Sequence, residues 1–314
     1  MAGMQAVRFH QPGGPRVLRV EEITVPIPGR DEVLVEVLAG SVNPVDAKIR
    51  SGKFPLWKPK LPAIPGRDVA GIVRAVGPHG GRGTLRLGDA VFGMLDYRRG
   101  AYAEFAIGSE RELARIPRGL SLKIAGVLGV AAQTAWQGLF DHGKLRRGQR
   151  VLIHGGAGGV GHLAVQFAKL AGATVIATAS GRDRRWLQRL GAAQVIDYAQ
   201  DRFENLTGNI DLVFDLIGGE TQDRSWQVLK ERGGRIVSTR SKPSPLEARQ
   251  HRATGMVMAV TASPPQLARI GGLIVEKKVV VKIGRSFALR EIRAAHALIE
   301  NGHVRGKIAL RVRG

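Results

Sequence analysis

The stretch Val151–Gly161, VLIHGGAGGVG, constrains the fold more than any other part of this chain. Val151–His154 reads as a short buried strand, and Gly156, Gly158 and Gly161 follow it at the G-x-G-x-x-G spacing. The first glycine permits a tight turn, the second lets the backbone approach a pyrophosphate, and the third lets the next helix sit close to the strand. That helix, HLAVQFAKLAGA, offers its N-terminal N–H groups and positive dipole end to phosphate. A lone glycine motif is weak. Here strand, loop, helix and a second strand at Thr174–Thr178 form one unit of about 30 residues. Gly156, Ala157, Gly158, Gly159, Val160 and Gly161 are therefore expected to hold a dinucleotide.

The end of the second strand selects the cofactor. An acid there would bind a ribose 2′-hydroxyl and repel a 2′-phosphate. This chain reads ATASGRDRR, with Ser180 where the acid is expected and Arg182, Arg184 and Arg185 after it. Guanidinium groups form charge-assisted, often bidentate bonds to phosphate, so NADP(H) is expected over NAD(H), although Asp183 adds an opposing charge.

Around this unit the texture divides the chain. Residues 1–124 carry short β-branched runs punctuated by Gly and Pro: Val33–Val37, Val69–Val76, Ala90–Met94 and Tyr102–Ile107. Residues 125–264 alternate apolar strands with helices. The strands are Val151–His154, Thr174–Thr178, Gln194–Ile196, Leu212–Asp215, Arg235–Ser238 and Met256–Val260; Gly161–Ala171 and Asp183–Leu190 are among the helices. This alternation predicts an α/β, doubly wound parallel sheet. Residues 265–314 carry a helix at Pro265–Glu276, a strand at Val279–Gly284, a helix at Leu289–Asn301 and a strand at Lys307–Val312. They are expected to return to the first domain, which makes the nucleotide domain an insertion.

The chain has no cysteine, which removes disulfides, thiolate metal ligands and a Cys nucleophile. Its eight histidines are scattered without paired ligand spacing, so no metal site is expected. The N-terminus lacks a signal-peptide core and no apolar run is long enough to span a membrane, so the cytoplasm is the expected compartment. The net charge of +22 invites a rival reading as a nucleic-acid-binding protein. The arginines, however, are spread over every segment without interleaved aromatics, which favours a solvated basic surface with nonspecific attraction only.

Several motifs in order carry a resemblance: SVNPVDAKIRSG (Ser41–Gly52), PAIPGRDVAGIV (Pro62–Val73), GDAVFG (Gly88–Gly93), GAYAEF (Gly100–Phe105), AAQTAWQGL (Ala131–Leu139), the glycine loop, LGAAQVIDY (Leu190–Tyr198), FDLIGG (Phe214–Gly219) and GKIAL (Gly306–Leu310). The chain resembles, essentially end to end, the zinc-independent quinone oxidoreductases of the medium-chain dehydrogenase/reductase superfamily, the group that includes zeta-crystallin. The resemblance implies a Rossmann domain inserted in a β-rich GroES-like catalytic domain, and NADPH-dependent reduction of quinones or α,β-unsaturated carbonyls. It implies that Asn43 and Asp46 lie near the nicotinamide as catalytic candidates and that Thr134 touches the cofactor. Ser180, Arg184 and Tyr198 would surround the 2′-phosphate. Ile217 and Gly218 would flank the nicotinamide ribose, and Lys307 would reach the cofactor from the C-terminal segment. Asn43 before Pro44 also suits a turn, and Asp46 a helix cap.

Two departures matter. Zinc-dependent relatives use Cys and a Gly-His-Glu element, whereas this chain reads Gly66, Arg67, Asp68. Some relatives carry a tyrosine after the R-S-G element, where this chain has Phe54 with Trp57 close by. Phe54, Trp57 and Trp136 are expected to form an apolar substrate-pocket wall, with Asn43, a cofactor hydroxyl or water as candidate donor to an enolate oxygen; Tyr97 and Tyr102 could approach the cleft but are expected in packing roles. A metal-free alcohol or aldehyde reductase remains the alternative in the same class. Relatives commonly pair sheet edges as homodimers, and the apolar run Met256–Val260 is expected to serve that purpose.

Overall fold

A computed structural model describes residues 2–78, 84–302 and 304–313; two of the scattered histidines, His79 and His303, lie outside them. The chain forms two compact units, Met1–Gln133 with Thr261–Gly314, and Thr134–Val260. The first boundary falls nine residues later, and the second four residues earlier, than the change of texture suggests. The reason is packing. After the helix Leu122–Ala125, capped by the Ser121 hydroxyl, a Cβ at Gly126 would press on Ala39, and the Val130 N–H donates to Asp68.

The strands, in chain order, are β1 (Gly3–Arg8), β2 (Arg19–Thr24), β3 (Glu32–Val42), β4 (Asp68–Val76), β5 (Ala90–Met94), β6 (Phe105–Ser109) and β7 (Leu113–Arg115) in the first part. Next come β8 (Arg150–His154), β9 (Thr174–Ala179), β10 (Gln194–Asp197), β11 (Leu212–Asp215), β12 (Arg235–Ser238) and β13 (Thr254–Val257), then β14 (Ile283–Ala288) and β15 (Lys307–Arg311).

In the first unit, β14-β15-β3-β4-β5-β7 form one sheet with β6 paired to β3, while β1 and β2 form a separate antiparallel pair. The C-terminal segment does return: β15 runs antiparallel to β3, with Ile308 opposite Val42 and Leu310 opposite Gly40. The core carries Val33, Val35, Val37, Val69, Val73 and Val91, β-branched residues that suit a pleated, half-buried surface. β14 begins later than the expected Val279, because Lys278 and Val279 donate back to the Leu273 carbonyl and close the preceding helix. Tyr102, expected at the start of a strand, precedes β6 and turns its side chain fully inward.

The second unit is a six-stranded sheet in the order β10-β9-β8-β11-β12-β13, every pair parallel. Strand order reverses between β8 and β11, the switch point where doubly wound sheets place a ligand. Val151, Leu152, Ile153 and His154 are all buried, as expected of a strand covered on both faces. The helix Gly161–Leu170 is buried from Gly161 through Ala168 rather than along one stripe. β13 lies two residues earlier than expected, since its register follows β12 from Arg235–Thr254 to Ser238–Val257.

Candidate active site

The glycine loop stands at the carboxyl end of β8. Its left-handed turn is at Gly155 (φ 73°), one residue before the glycine to which the spacing assigns it. The Gly156 N–H donates to the Thr178 carbonyl at 2.9 Å, stitching the loop to β9. A Cβ on Gly161 would collide with the Gly155 carbonyl, so the helix sits against the turn only because Gly161 has none. Gly158 donates to the Gly155 carbonyl and His162 to the Gly158 carbonyl. The N–H groups of Ala157, Gly159 and Val160 have no acceptor among the described residues. These free donors at a helix N-terminus fit a pyrophosphate.

At the end of β9, Ser180 opens a short turn, Gly181–Asp183, that leads into the helix Arg184–Leu190. Asp183 is buried and faces Arg182 at 3.9 Å, whereas Arg184 and Arg185 are exposed with no acidic partner among the described residues. Tyr198 donates its backbone N–H to the Ala179 carbonyl at 3.3 Å and leaves its ring 56% exposed beside this turn. The Ser180 hydroxyl, two unpaired guanidinium groups and a phenol thus gather at one strand end, an arrangement that fits a 2′-phosphate.

The motif FDLIGG carries an organiser that sequence reasoning passed over. Buried Asp215 accepts from the N–H groups of Ile217 (2.9 Å) and Gly218 (2.8 Å), and from Gln222 and the Ser238 hydroxyl (both 2.8 Å). This leaves the Ile217 side chain half exposed at the loop tip. His154, the last residue of β8, bridges Thr178 Oγ1 (3.1 Å) and Ser225 Oγ (3.0 Å). Burial lowers its pKa to about 4, so it is a neutral brace. Thr134 is buried in the helix Gly129–Trp136, and Trp136 packs edge-on against Phe140 and Phe167.

The first unit holds a second cluster, entirely buried. Lys307 at the start of β15 donates to Asn43 Oδ1 at 2.5 Å and stands 3.5 Å from Asp68 Oδ2. Its exposure is 3%, so an ammonium expected to reach the cofactor is directed at Asn43 and Asp68 within its own unit. Asn43 donates to Asp68 Oδ2 (3.0 Å) and Ser41 Oγ (3.3 Å), two neighbouring acceptors that a single N–H can serve together. Asp68 also accepts from the Ser41 hydroxyl and, at 2.6 Å, from the Val130 N–H. Burial lowers the Lys307 pKa while Asp68 and Asp46 hold it up.

Asp46 performs the capping that its position allows: Oδ2 accepts from the Asn43 backbone at 2.8 Å, and also from the Tyr102 hydroxyl at 2.9 Å. Burial raises its pKa to about 7, with the Asp68 charge adding to the effect and the two donors opposing it. Its Oδ1 is sealed from solvent with no partner among the described residues. Burial and the Asp46 charge push the Tyr102 hydroxyl well above its ordinary range.

Phe54 and Trp57, expected as pocket wall, pack on Tyr97 with ring centroids at 5.6 and 5.2 Å. Ser41 and Asp68 are the site residues whose roles the sequence does not announce; each lies inside a recognised motif, and that was the only available signal. The residues present do not fit a zinc ion: the chain lacks cysteine, and no three His, Asp or Glu among the described residues converge to hold a metal.

The descriptions "Alcohol dehydrogenase GroES-like domain" and "Zinc-binding dehydrogenase" match residues 29–118 and 190–310 respectively. The chain is 34% identical to the chloroplastic NADPH-dependent alkenal/one oxidoreductase of Arabidopsis thaliana, over 98% of this chain and 79% of that protein. It is 30% identical to the quinone oxidoreductase of Mus musculus over 95% of each. The solved quinone oxidoreductase from Coxiella burnetii superposes with a TM-score of 0.91 at 35% identity, covering 99% of this chain and all of that one. With these likenesses spanning both units, and with no thiolate to bind zinc, the chain belongs to the zinc-independent quinone oxidoreductase family of the medium-chain dehydrogenase/reductase superfamily.

Proposed function

We propose that this protein is an NADPH-dependent reductase of quinones and α,β-unsaturated carbonyls that works without a metal. The carrying observation is the strand-end group of Ser180, Arg184, Arg185 and Tyr198 beside a glycine loop with free N–H donors. When bound, the reduced nicotinamide supplies hydride. The chain's own task is to bind and orient: the loop Gly156–Gly161 holds the pyrophosphate, Arg184 the 2′-phosphate with Arg182 at its edge, and Ile217 and Gly218 the nicotinamide ribose, with Thr134 as a further cofactor contact. Asn43 and Asp46 act as positioning residues, since their polar atoms face Lys307, Asp68 and Tyr102. Phe54 and Trp57 serve as apolar surface for a planar substrate.

The test is NADPH oxidation against a panel of quinones, enones and simple aldehydes, with NADH as control. Turnover of quinones or enones is the expected result. Turnover of aldehydes alone would replace this reading with an alcohol or aldehyde reductase on the same fold.

The partner is a second copy of the chain. β13 is an edge strand with Met256 38% and Val257 45% exposed, apolar surface suited to pairing across a two-fold axis. No helix among the described residues is long and apolar enough to cross a membrane, and a cysteine-free chain suits the cytoplasm. The +22 charge attracts nucleic acid nonspecifically, in a binding that disappears at physiological salt.

A further inference from the structure

Arg67 is nine-tenths buried, at 9% exposure, yet only part of its guanidinium is used. Its Nε donates to the Leu95 carbonyl at 3.0 Å, and the Leu95 N–H returns a bond to the Arg67 carbonyl at 2.8 Å. This pair fixes the side chain. The two terminal nitrogens meet no acceptor among the described residues, and they are absent from the polar atoms sealed off from solvent. Burial lowers the Arg67 pKa, the charges of Asp46, Asp68 and Asp96 oppose that shift, and none of the three forms an ion pair with the guanidinium. Donors open to solvent are held by water, which an anion or a carbonyl oxygen of a ligand can replace.

The surroundings indicate the shape of that ligand. The guanidinium carbon lies 5.8 Å from the centre of the Tyr97 ring, and Phe54 and Trp57 pack against the same ring. All three aromatics are half-buried, and they belong to the same unit as Arg67. The contact between Arg67 and Leu95 explains one nitrogen as structural support. It does not explain two more that meet no acceptor among the described residues and lie near an aromatic rim.

We propose that Arg67, flanked by Tyr97, Trp57 and Phe54, is the subsite for the acceptor's oxygen, and that it selects planar conjugated substrates whose oxygen gains negative charge. This rests on the reductase reading above and names a residue for the substrate. When a hydride adds to the acceptor carbon, a π electron pair moves onto the conjugated oxygen. Arg67 donates N–H bonds to that oxygen, and water later protonates the product. A guanidinium suits the role because its donors are fixed in a plane and keep their charge.

The test is equilibrium binding of 4-nitrophenolate, a planar oxyanion that is not itself an acceptor, to the full chain and to Arg67→Met, Arg67→Lys and Arg98→Gln. Arg98 lies at 5.9 Å from the same ring but is exposed and paired with Asp96, so it controls for general positive charge. Loss of Arg67 is expected to weaken binding about tenfold or more, with partial rescue by Lys and no more than about a twofold change in Arg98→Gln. Thermal melts confirm folding, and the Lys variant carries the comparison if Met destabilises the unit. Binding by Arg67→Met within about twofold of the parent, equal loss in Arg98→Gln, or no binding by the parent would each overturn the proposal. Absence of acceptor reduction by the parent would sink the reductase reading while Arg67-dependent binding still established the oxyanion site. Full kcat/KM in Arg67→Met with every quinone and enone would sink the subsite and leave the reductase standing.

Discussion

Lys307 Nζ lies 2.5 Å from Asn43 Oδ1, joining residues 264 positions apart in a site where both are sealed from water. The bond exists because β15 lies antiparallel beside β3 with Ile308 opposite Val42, which brings the start of one strand to the end of the other. With Asp68 as the counter-charge, the C-terminal segment is part of the machinery of the first unit.

Lys307→Met removes the cation and leaves Asp68 buried beside Asn43 and Ser41. The expected loss is about 3–5 kcal/mol of stability, measured by urea unfolding at pH 7. Adding Asp68→Asn should restore part of that loss, because the unpaired charge goes with it. Strict additivity of the two substitutions would show that the pair is not coupled.

Asp46 supplies a pH dependence of unusual sign. Its folded pKa is about 7, above the ordinary value of 3.8, so the folded chain holds this proton more tightly than the unfolded chain. Stability from this group is fully present below about pH 4 and is lost as pH rises through 7. Asp46→Asn keeps an acceptor for the Asn43 N–H but removes the charge. The variant should therefore gain on the parent between pH 5 and pH 8, by on the order of 3 kcal/mol. Parallel pH profiles of the two melting curves would refute the assignment.

His154 acts in the opposite direction. Burial lowers its pKa to about 4, so the unfolded chain takes up a proton first, and the stability from the neutral ring is lost between about pH 6.5 and 4. His154→Gln should flatten that part of the acid-unfolding profile, read by circular dichroism. A parent whose stability does not change across this window would show that His154 is not buried neutral.

Arg184→Glu places a carboxylate where the 2′-phosphate is assigned. Affinity for NADPH should fall by about a hundredfold or more, and that for NADH by less than about threefold, in fluorescence titrations of the free protein. Equal losses for both cofactors would remove Arg184 from the phosphate site.

Met256→Asp puts a charge on the exposed edge β13. Light scattering should show a dimer for the parent and a monomer for the variant at micromolar concentration. A monomeric parent would end the dimer proposal.

Much of the molecule was legible in the sequence because its signals are local. Apolar strands alternating with helices announce a parallel sheet, and three glycines at fixed spacing after a strand announce a phosphate loop, since both follow from backbone geometry within a few residues. Ser180 and its arginines needed only their distance from that loop. Tertiary structure decided the rest. Asp68, Asn43, Ser41 and Lys307 come from three places in the chain and become one network only when β3, β4 and β15 are registered side by side. The same holds for Arg67, which the sequence marks only as a departure from the Gly-His-Glu element until the fold ties its Nε to the Leu95 carbonyl and sets it near Tyr97. Short-range steric rules act along the sequence; charge burial and ion pairing depend on distance through space, which only the fold sets.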